Sequence, residues 1–236
     1  MCGRFVLVDW YGVEQRFHLP EAELRRISER CDETGDAPVS RYNIAPTQDV
    51  LTVRSDGSVN RAAMMRWGLA PSWAKDPKIG SRMINARAET LAERPSFRAA
   101  YRRRRCLIVA DSFYEWKREG RNRTPMRIML ESEELFAFAG LWEAWKRPDD
   151  SWLTSCAIVT TSANELVAEI HDRMPVILDP DVESVWLDPD IDDTAALSDL
   201  LVPYPSELMT AYEVSQIVNS AANDAPECIA PIGRLL

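Results

Sequence analysis

With 236 residues, 46% of them hydrophobic, the chain is long enough to bury a substantial core, and it carries a net charge of −9. No apolar run approaches the ~20 residues that span a bilayer, and Asp9, Glu14 and Arg16 interrupt the start of the chain, so neither a membrane-spanning helix nor a signal peptide is expected. Five scattered cysteines (Cys2, Cys31, Cys106, Cys156, Cys228) without a Cys-x-x-Cys pair argue against a disulfide framework or zinc knuckle and for a reducing, cytoplasmic setting.

In chain order, Phe5-Val6-Leu7-Val8 reads as a short strand. Residues 10–30 follow as an amphipathic helix with Val13, Phe17, Leu24 and Ile27 on its apolar side, broken or restarted at Pro20, with His18 partly exposed. Residues 31–39 are polar and turn-rich, hence a loop. Val50–Val53 and Val59–Trp67, around a turn at residues 55–58, predict a hairpin. In the loop that follows, Trp67 is expected in the core and Trp73 on the surface, beside a basic segment, where a ring can stack on a base. A helix-like stretch runs to Tyr101, and Cys106–Ala110 is a continuous apolar run of strand length. Further strands are expected at Met126–Leu130, Leu135–Leu141 and Ala157–Thr161. Ser162-Ala163-Asn164 is a good start for a helix over Glu165–Ile170, which Pro175 forbids from continuing. Val182–Leu201 is acidic and helix-prone, and Val214–Val218 reads as an edge strand. With no repeat, low-complexity tract or linker, the expectation is a single domain over 1–236. Its expected class is α+β, with mainly antiparallel strands forming a barrel-like core and peripheral helices.

The negative total hides an asymmetry. Residues 61–128 hold 17 basic and 6 acidic side chains, whereas the segments before and after carry −3 and −17. A positive field confined to the middle of an acidic chain suits a localised phosphate-binding surface. The same distribution fits a solvated basic face, Arg102–Arg105 included, paired with the acidic C-terminal third.

Three places carry chemistry. Cys2 follows the initiator methionine, and trimming of Met1 leaves a thiol and a free α-amine on one residue. The amine titrates near ~7.7–8.0 and an ordinary thiol near ~8.5, so both are partly reactive at neutral pH. They can attack one aldehyde carbon in turn and close a five-membered thiazolidine, the second attack being intramolecular. Glu115 lies between two aromatics after a buried strand, a setting that desolvates a carboxylate and raises its pKa. His171 and Arg173 stand together at a helix end, where the helix dipole alone would also favour them, and their side chains can reach one site.

With these residues in view, the sequence resembles the SRAP family of SOS-response-associated peptidases, or abasic-site processing proteins. The matching pieces are Met1-Cys2-Gly3-Arg4-Phe5, Arg41-Tyr42-Asn43-Ile44-Ala45-Pro46, Trp67-Gly68-Leu69-Ala70-Pro71-Ser72-Trp73, Ile84-Asn85-Ala86-Arg87-Ala88-Glu89-Thr90, Phe113-Tyr114-Glu115-Trp116-Lys117 and Ile170-His171-Asp172-Arg173-Met174-Pro175. These span residues 1–175, and the last sixty residues match more loosely. The resemblance implies a protein that caps abasic sites in single-stranded DNA covalently through Cys2, as both amine and thiol. It implies that Asn85 holds the sugar or Cys2, that Glu115 is the acid/base carboxylate, and that His171 assists sugar ring-opening, Schiff-base formation and reversal. Arg4, Arg87 and Arg173 match phosphate-binding positions and Thr160 a polar contact lining the site. Arg94, with Arg98 as its alternative, is the further phosphate-contacting arginine. Pro46 and Trp73 fall in loops that wedge against flanking bases. Where a second aromatic often stands beside Trp73, this chain has Ser72 and Ala74, so a thinner stacking platform is expected.

No metal or other cofactor and no membrane are implied. The expected partner is abasic single-stranded DNA, met by a monomer in the cytoplasm, at the nucleoid when DNA is damaged. Two alternatives compete. One is a cysteine-type peptidase, acting on Met1 or other peptides, with Cys2 as nucleophile and His171 as base; the other is a non-covalent single-strand-binding module.

Overall fold

The computed structural model describes residues 2–21, 23–27 and 40–235, so Cys31 and the loop expected at 31–39 lie outside the described residues. The described strands are β1 (Arg4–Leu7), β2 (Arg41–Ile44), β3 (Asp49–Ser55), β4 (Asn60–Trp67), β5 (Asn85–Arg87), β6 (Arg105–Ala110) and β7 (Ser112–Glu119). They continue with β8 (Asn122–Leu130), β9 (Phe136–Lys146), β10 (Trp152–Ser162), β11 (Arg173–Pro175), β12 (Ile177–Leu178), β13 (Met209–Val214) and β14 (Pro231–Leu235). One sheet runs β14-β13-β8-β7-β1-β2. The other runs β11-β10-β4-β3-β6-β9-β12, and β9 also pairs β10, so β10, β4, β3, β6 and β9 close into a five-stranded barrel. The fold is therefore α+β, mostly antiparallel, with a barrel and short helices, as expected.

A closed ring of five strands cannot alternate direction all the way round. The odd pair is β4–β10, which is parallel, with Arg66 opposite Ser155 and Trp67 opposite Cys156. Farther along β10, β5 takes over the same side, also parallel, with Asn85 opposite Ile158 and Arg87 opposite Thr160. β4 and β5 are thus two halves of one line, and residues 68–84, with Trp73, are an excursion from it. Its base is tied by Gly68 N–H donating to the Cys156 carbonyl (2.8 Å) and Leu69 N–H to that of Met83 (3.1 Å).

Gly68 and Gly80 meet there backbone to backbone. Gly68 has a φ of +131°, and a Cβ on Gly80 would stand 2.3 Å from the Gly68 carbonyl oxygen. Gly80→Ala is expected to cost about 1–3 kcal/mol of stability through that overlap. Thermal unfolding measures it, and an unchanged midpoint would refute the close approach.

The two sheets share one core. Phe5 of β1 inserts against the barrel's Trp67 (ring centroids 5.2 Å) and Phe138 (5.8 Å), both edge-on. Phe113 of β7 also meets Phe138, at 6.0 Å. Trp67 is fully buried, whereas Trp73 is 60% exposed, as their settings predicted.

Other expectations need adjusting. Among the described residues the N-terminal helix expected at 10–30 is two pieces, Val13–Arg16 and residues 23–27, separated where His18 turns to a φ of 51° before Pro20, while positions 22 and 28–30 lie outside them; His18 is exposed. The helix started by Asn164 spans Glu165–Ala168, with the Asn164 side chain accepting from Val167 N–H. The acidic stretch forms two short helices, Pro180–Leu187 and Thr194–Ser198, because Pro189 and the capping Asp193 interrupt it. The edge strand expected at Val214–Val218 is corrected: the strand is β13 and ends at Val214, and Gln216–Asn219 is a 3-10 turn capped by Ser215.

The arginine run divides by function. Arg105 is buried and donates to the carbonyls of Tyr101, Arg102, Trp186, Asp188 and Ile191, so its charge ties the acidic helices to the barrel. Arg103 pairs with Asp192 (2.9 Å) and Arg104 with Glu143 (2.8 Å). For Arg103 and Arg104 the pairing reading of the charge asymmetry holds, whereas Arg105 is buried and meets backbone carbonyls rather than acids.

Candidate active site

Strand alternation sorts the Phe113-Tyr114-Glu115-Trp116 motif into two faces. Phe113 and Glu115 point toward the barrel, while Tyr114 and Trp116 point to a second layer made by the C-terminal segment. There Tyr114 Oη donates to the Tyr42 carbonyl (2.7 Å), and Trp116 Nε1 donates to Asn219 Oδ1 (2.7 Å). The β1–β7 register, with Arg4 opposite Tyr114 and Phe5 opposite Phe113, carries the residues just before β1 alongside Glu115. Cys2 is completely buried there, and Glu115 is 3% exposed.

From the barrel side, β10 supplies the rest. Its neighbour β5 presents Asn85, whose Nδ2 donates to the Cys2 carbonyl at 2.7 Å. Asn85 Oδ1 is buried and accepts no hydrogen bond among the described residues, so it can still receive a donor. On the other side, β11 pairs Ser162 with Arg173, which brings His171 to the same end. The Arg173 N–H points at His171 Nδ1 (3.0 Å). Asp172 Oδ1 lies 2.9 Å from the same Nδ1 and pairs with it when the ring is charged.

The electrostatics follow from burial. Glu115's carboxyl is raised above the usual carboxylate range by desolvation, partly offset by the positive charges of the amino terminus and of His171. The Cys2 thiol is raised well above an ordinary cysteine, first by burial and then by Glu115's negative charge. The corner therefore favours a protonated thiol beside a carboxyl that holds its proton unusually well. Such a pair suits proton shuttling.

Around this corner Thr160 is buried, with Arg87 across the strand from it. Arg87, Arg94 and Arg98 are exposed, and none of their guanidiniums is in an ion pair among the described residues. Pro46 is half-buried in a turn whose next residue, Thr47, has a φ of 72° and donates to the Trp67 carbonyl (2.8 Å), so the Pro46 and Trp73 loops share a root. Arg173 is held by Glu89 and Thr160.

Arg4 lies apart. It shares a face with Tyr114, opposite to Glu115, and donates to Asn43 Oδ1 (2.9 Å) and the carbonyls of Val218 (2.8 Å) and Asn219 (3.3 Å). Asn43 and Asp224, which complete that network, and Glu89 escaped the sequence reading. They lie in or pair with the quoted motifs, but their partners are about 40 to 180 residues away in the chain.

The profile of the family described as SOS response associated peptidase (SRAP) matches residues 1–221. The chain is 49% identical to the abasic site processing protein YoqW of Bacillus subtilis, over 97% of this chain and 99% of that one. It is 32% identical to the abasic site processing protein HMCES of Mus musculus, over 100% of this chain and 77% of that one. A crystal structure of a protein from Bacteroides thetaiotaomicron is similar with a TM-score of 0.84 at 26% identity, covering 98% of this chain and 99% of that one. This chain belongs to the SRAP family.

Proposed function

We propose that this protein processes abasic sites in single-stranded DNA, capturing the ring-opened sugar on Cys2 as a thiazolidine and so shielding the strand from cleavage. The names of its relatives support the substrate. The observation that carries the mechanism is the Asn85–Cys2 hydrogen bond at 2.7 Å, which holds the Cys2 backbone in the buried corner with Glu115.

With Met1 removed, the Cys2 α-amine attacks C1′ of the open-chain aldehyde. His171 assists the ring-opening that exposes this aldehyde. Glu115 gives its proton to the departing oxygen, and the carbinolamine loses water to become an imine. The thiol, still protonated because burial and Glu115 raise its pKa, then adds to the imine carbon. A C–S bond forms, the C=N pair returns to the nitrogen, which keeps the proton of the protonated imine, and the thiol proton goes to the Glu115 carboxylate, restoring the acid. Aldehyde and cysteine yield thiazolidine and water, with no further reactant, and the loss of the aldehyde removes the driving force for β-elimination. Arg87, Arg94 and Arg173 suit flanking phosphates, and Trp73 and Pro46 flanking bases.

The peptidase alternative needs a thiol whose pKa is lowered by an imidazolium. Here burial and Glu115 push Cys2 the other way, which favours amine-first capture.

A denaturing gel of abasic and intact oligonucleotides with wild type and Cys2→Ala tests the reading. The expected result is a shifted band with abasic DNA and wild type alone. Equal bands with both oligonucleotides, or persistence of the band in Cys2→Ala, would reject it.

A further inference from the structure

Arg173 reaches the rim of the site with its guanidinium fork already filled. Its Nη1 and Nη2 donate side by side to Oε1 and Oε2 of Glu89, the latter at 3.0 Å, and Nη2 also donates to the Thr160 carbonyl at 2.7 Å. The partners differ in exposure: the Arg173 side chain is 14% exposed and that of Glu89 52%. The cation is seated in the wall, and the carboxylate covers it from the solvent side. Arg173 is also fixed through the pairing of β11 with β10, whereas Glu89 rides on the single 3-10 turn Ala88–Thr90. Of the two, Glu89 is the group that can leave. A carboxylate and a phosphodiester each offer two oxygens to the same fork.

We propose that Glu89 is an internal stand-in for a DNA phosphate, occupying the Arg173 fork in the free protein and giving it up to a backbone phosphodiester when single-stranded DNA enters. This inference rests on the reading of the site as one for single-stranded DNA. The exchange trades one ion pair for another, so Arg173 adds little net affinity for intact strands. Retention then depends on the aldehyde and Cys2, which suits a protein that must release undamaged DNA. The Arg173 hydrogen bonds hold the Glu89 carboxyl below the usual range, so it is ionised and in place at neutral pH.

Fluorescence anisotropy with an intact single-stranded oligonucleotide, over a salt series, tests this. The proteins are wild type, Glu89→Gln, Glu93→Gln, Arg173→Gln and the Glu89→Gln/Arg173→Gln double variant. Glu93 is an exposed acid four residues on and controls for the loss of any surface negative charge. Glu89→Gln is expected to tighten binding about fivefold near 0.1 M salt and to steepen the slope of log Kobs against log salt by up to ~0.7, the increment for one phosphate contact on a single strand, because in wild type the freed Glu89 carboxylate takes up a cation that offsets the one the phosphate releases. The gain should exceed that of Glu93→Gln and vanish in the Arg173→Gln background. Binding by Glu89→Gln that is unchanged or weaker, or a gain that survives without Arg173, overturns the inference and leaves Glu89 as a brace. Should Glu89→Gln melt below the assay temperature, Glu89→Asp, too short to span the fork, is expected to tighten binding in the same direction. A wild type that crosslinks abasic DNA while Glu89→Gln binds no better rejects this inference alone. A wild type that neither binds nor crosslinks rejects the proposed function with it.

Discussion

Glu115→Gln is expected to slow adduct formation by about 10²–10⁴-fold, the usual contribution of one positioned acid–base group, while making the folded protein more stable at neutral pH. Both effects come from the same burial. Desolvation raises the Glu115 carboxyl above its ordinary range, with the amino terminus and His171 offsetting only part of this. The folded chain therefore binds that proton more tightly than the unfolded chain does. Stability from this group is greatest below the ordinary carboxylate range. It falls as pH rises from there through the raised folded value, and the loss persists above it. Glutamine fills the same space without a charge, so the variant should melt higher at pH 7 and show a flatter stability profile across that window. Melting curves from pH 4 to 8, beside single-turnover crosslinking, check the two halves separately. A variant that is both slower and less stable at pH 7 would show that Glu115's favourable contacts outweigh its desolvation.

The second large effect is expected at Asn43, far from the chemistry. Its side chain is fully buried; Oδ1 accepts from Arg4 Nη1 (2.9 Å), and Nδ2 shares its two protons among the carbonyls of Val218 (3.1 Å), Ser220 (3.0 Å) and Asn223 (2.7 Å). Asp224 reinforces this clamp, pairing with Arg41 and accepting the N–H of Asn43 at 3.0 Å. Asn43→Ala leaves several backbone carbonyls and part of a guanidinium without partners, an expected cost of about 2–4 kcal/mol. Because Arg4 lies two residues from Cys2, the loosened clamp should also lower the crosslinking rate per folded molecule several-fold. Urea denaturation and hydrogen exchange over residues 218–224 measure the first effect. A loss under about 1 kcal/mol would mean the clamp contributes no more than an ordinary surface network.

The residues that meet in the candidate site were legible in the chain, since the motifs around Cys2, Asn85, Glu115 and His171 are short and distinctive, and the structure brings them to one corner. So were the fates that depend on near neighbours: the buried run at Cys106–Ala110, the Asn164 cap, Trp67 inside and Trp73 outside. Strand alternation sends Glu115 to the face opposite its aromatic neighbours Tyr114 and Trp116, and their motif already implied a shielded carboxylate.

What the chain could not announce was partnership. Asn85-Ala86-Arg87 is too short to have a period, and it is a strand only because β10 runs beside it. Seventeen basic residues in the middle third look alike on a charge count. Yet Arg105 is spent on backbone carbonyls, Arg104 is paired with Glu143, and Arg87 stays open. Periodicity and capping act over a few residues and can be read locally. An ion pair or a strand pairing is decided by which distant segment the closed barrel brings within about 3 Å, and only the tertiary structure makes that choice.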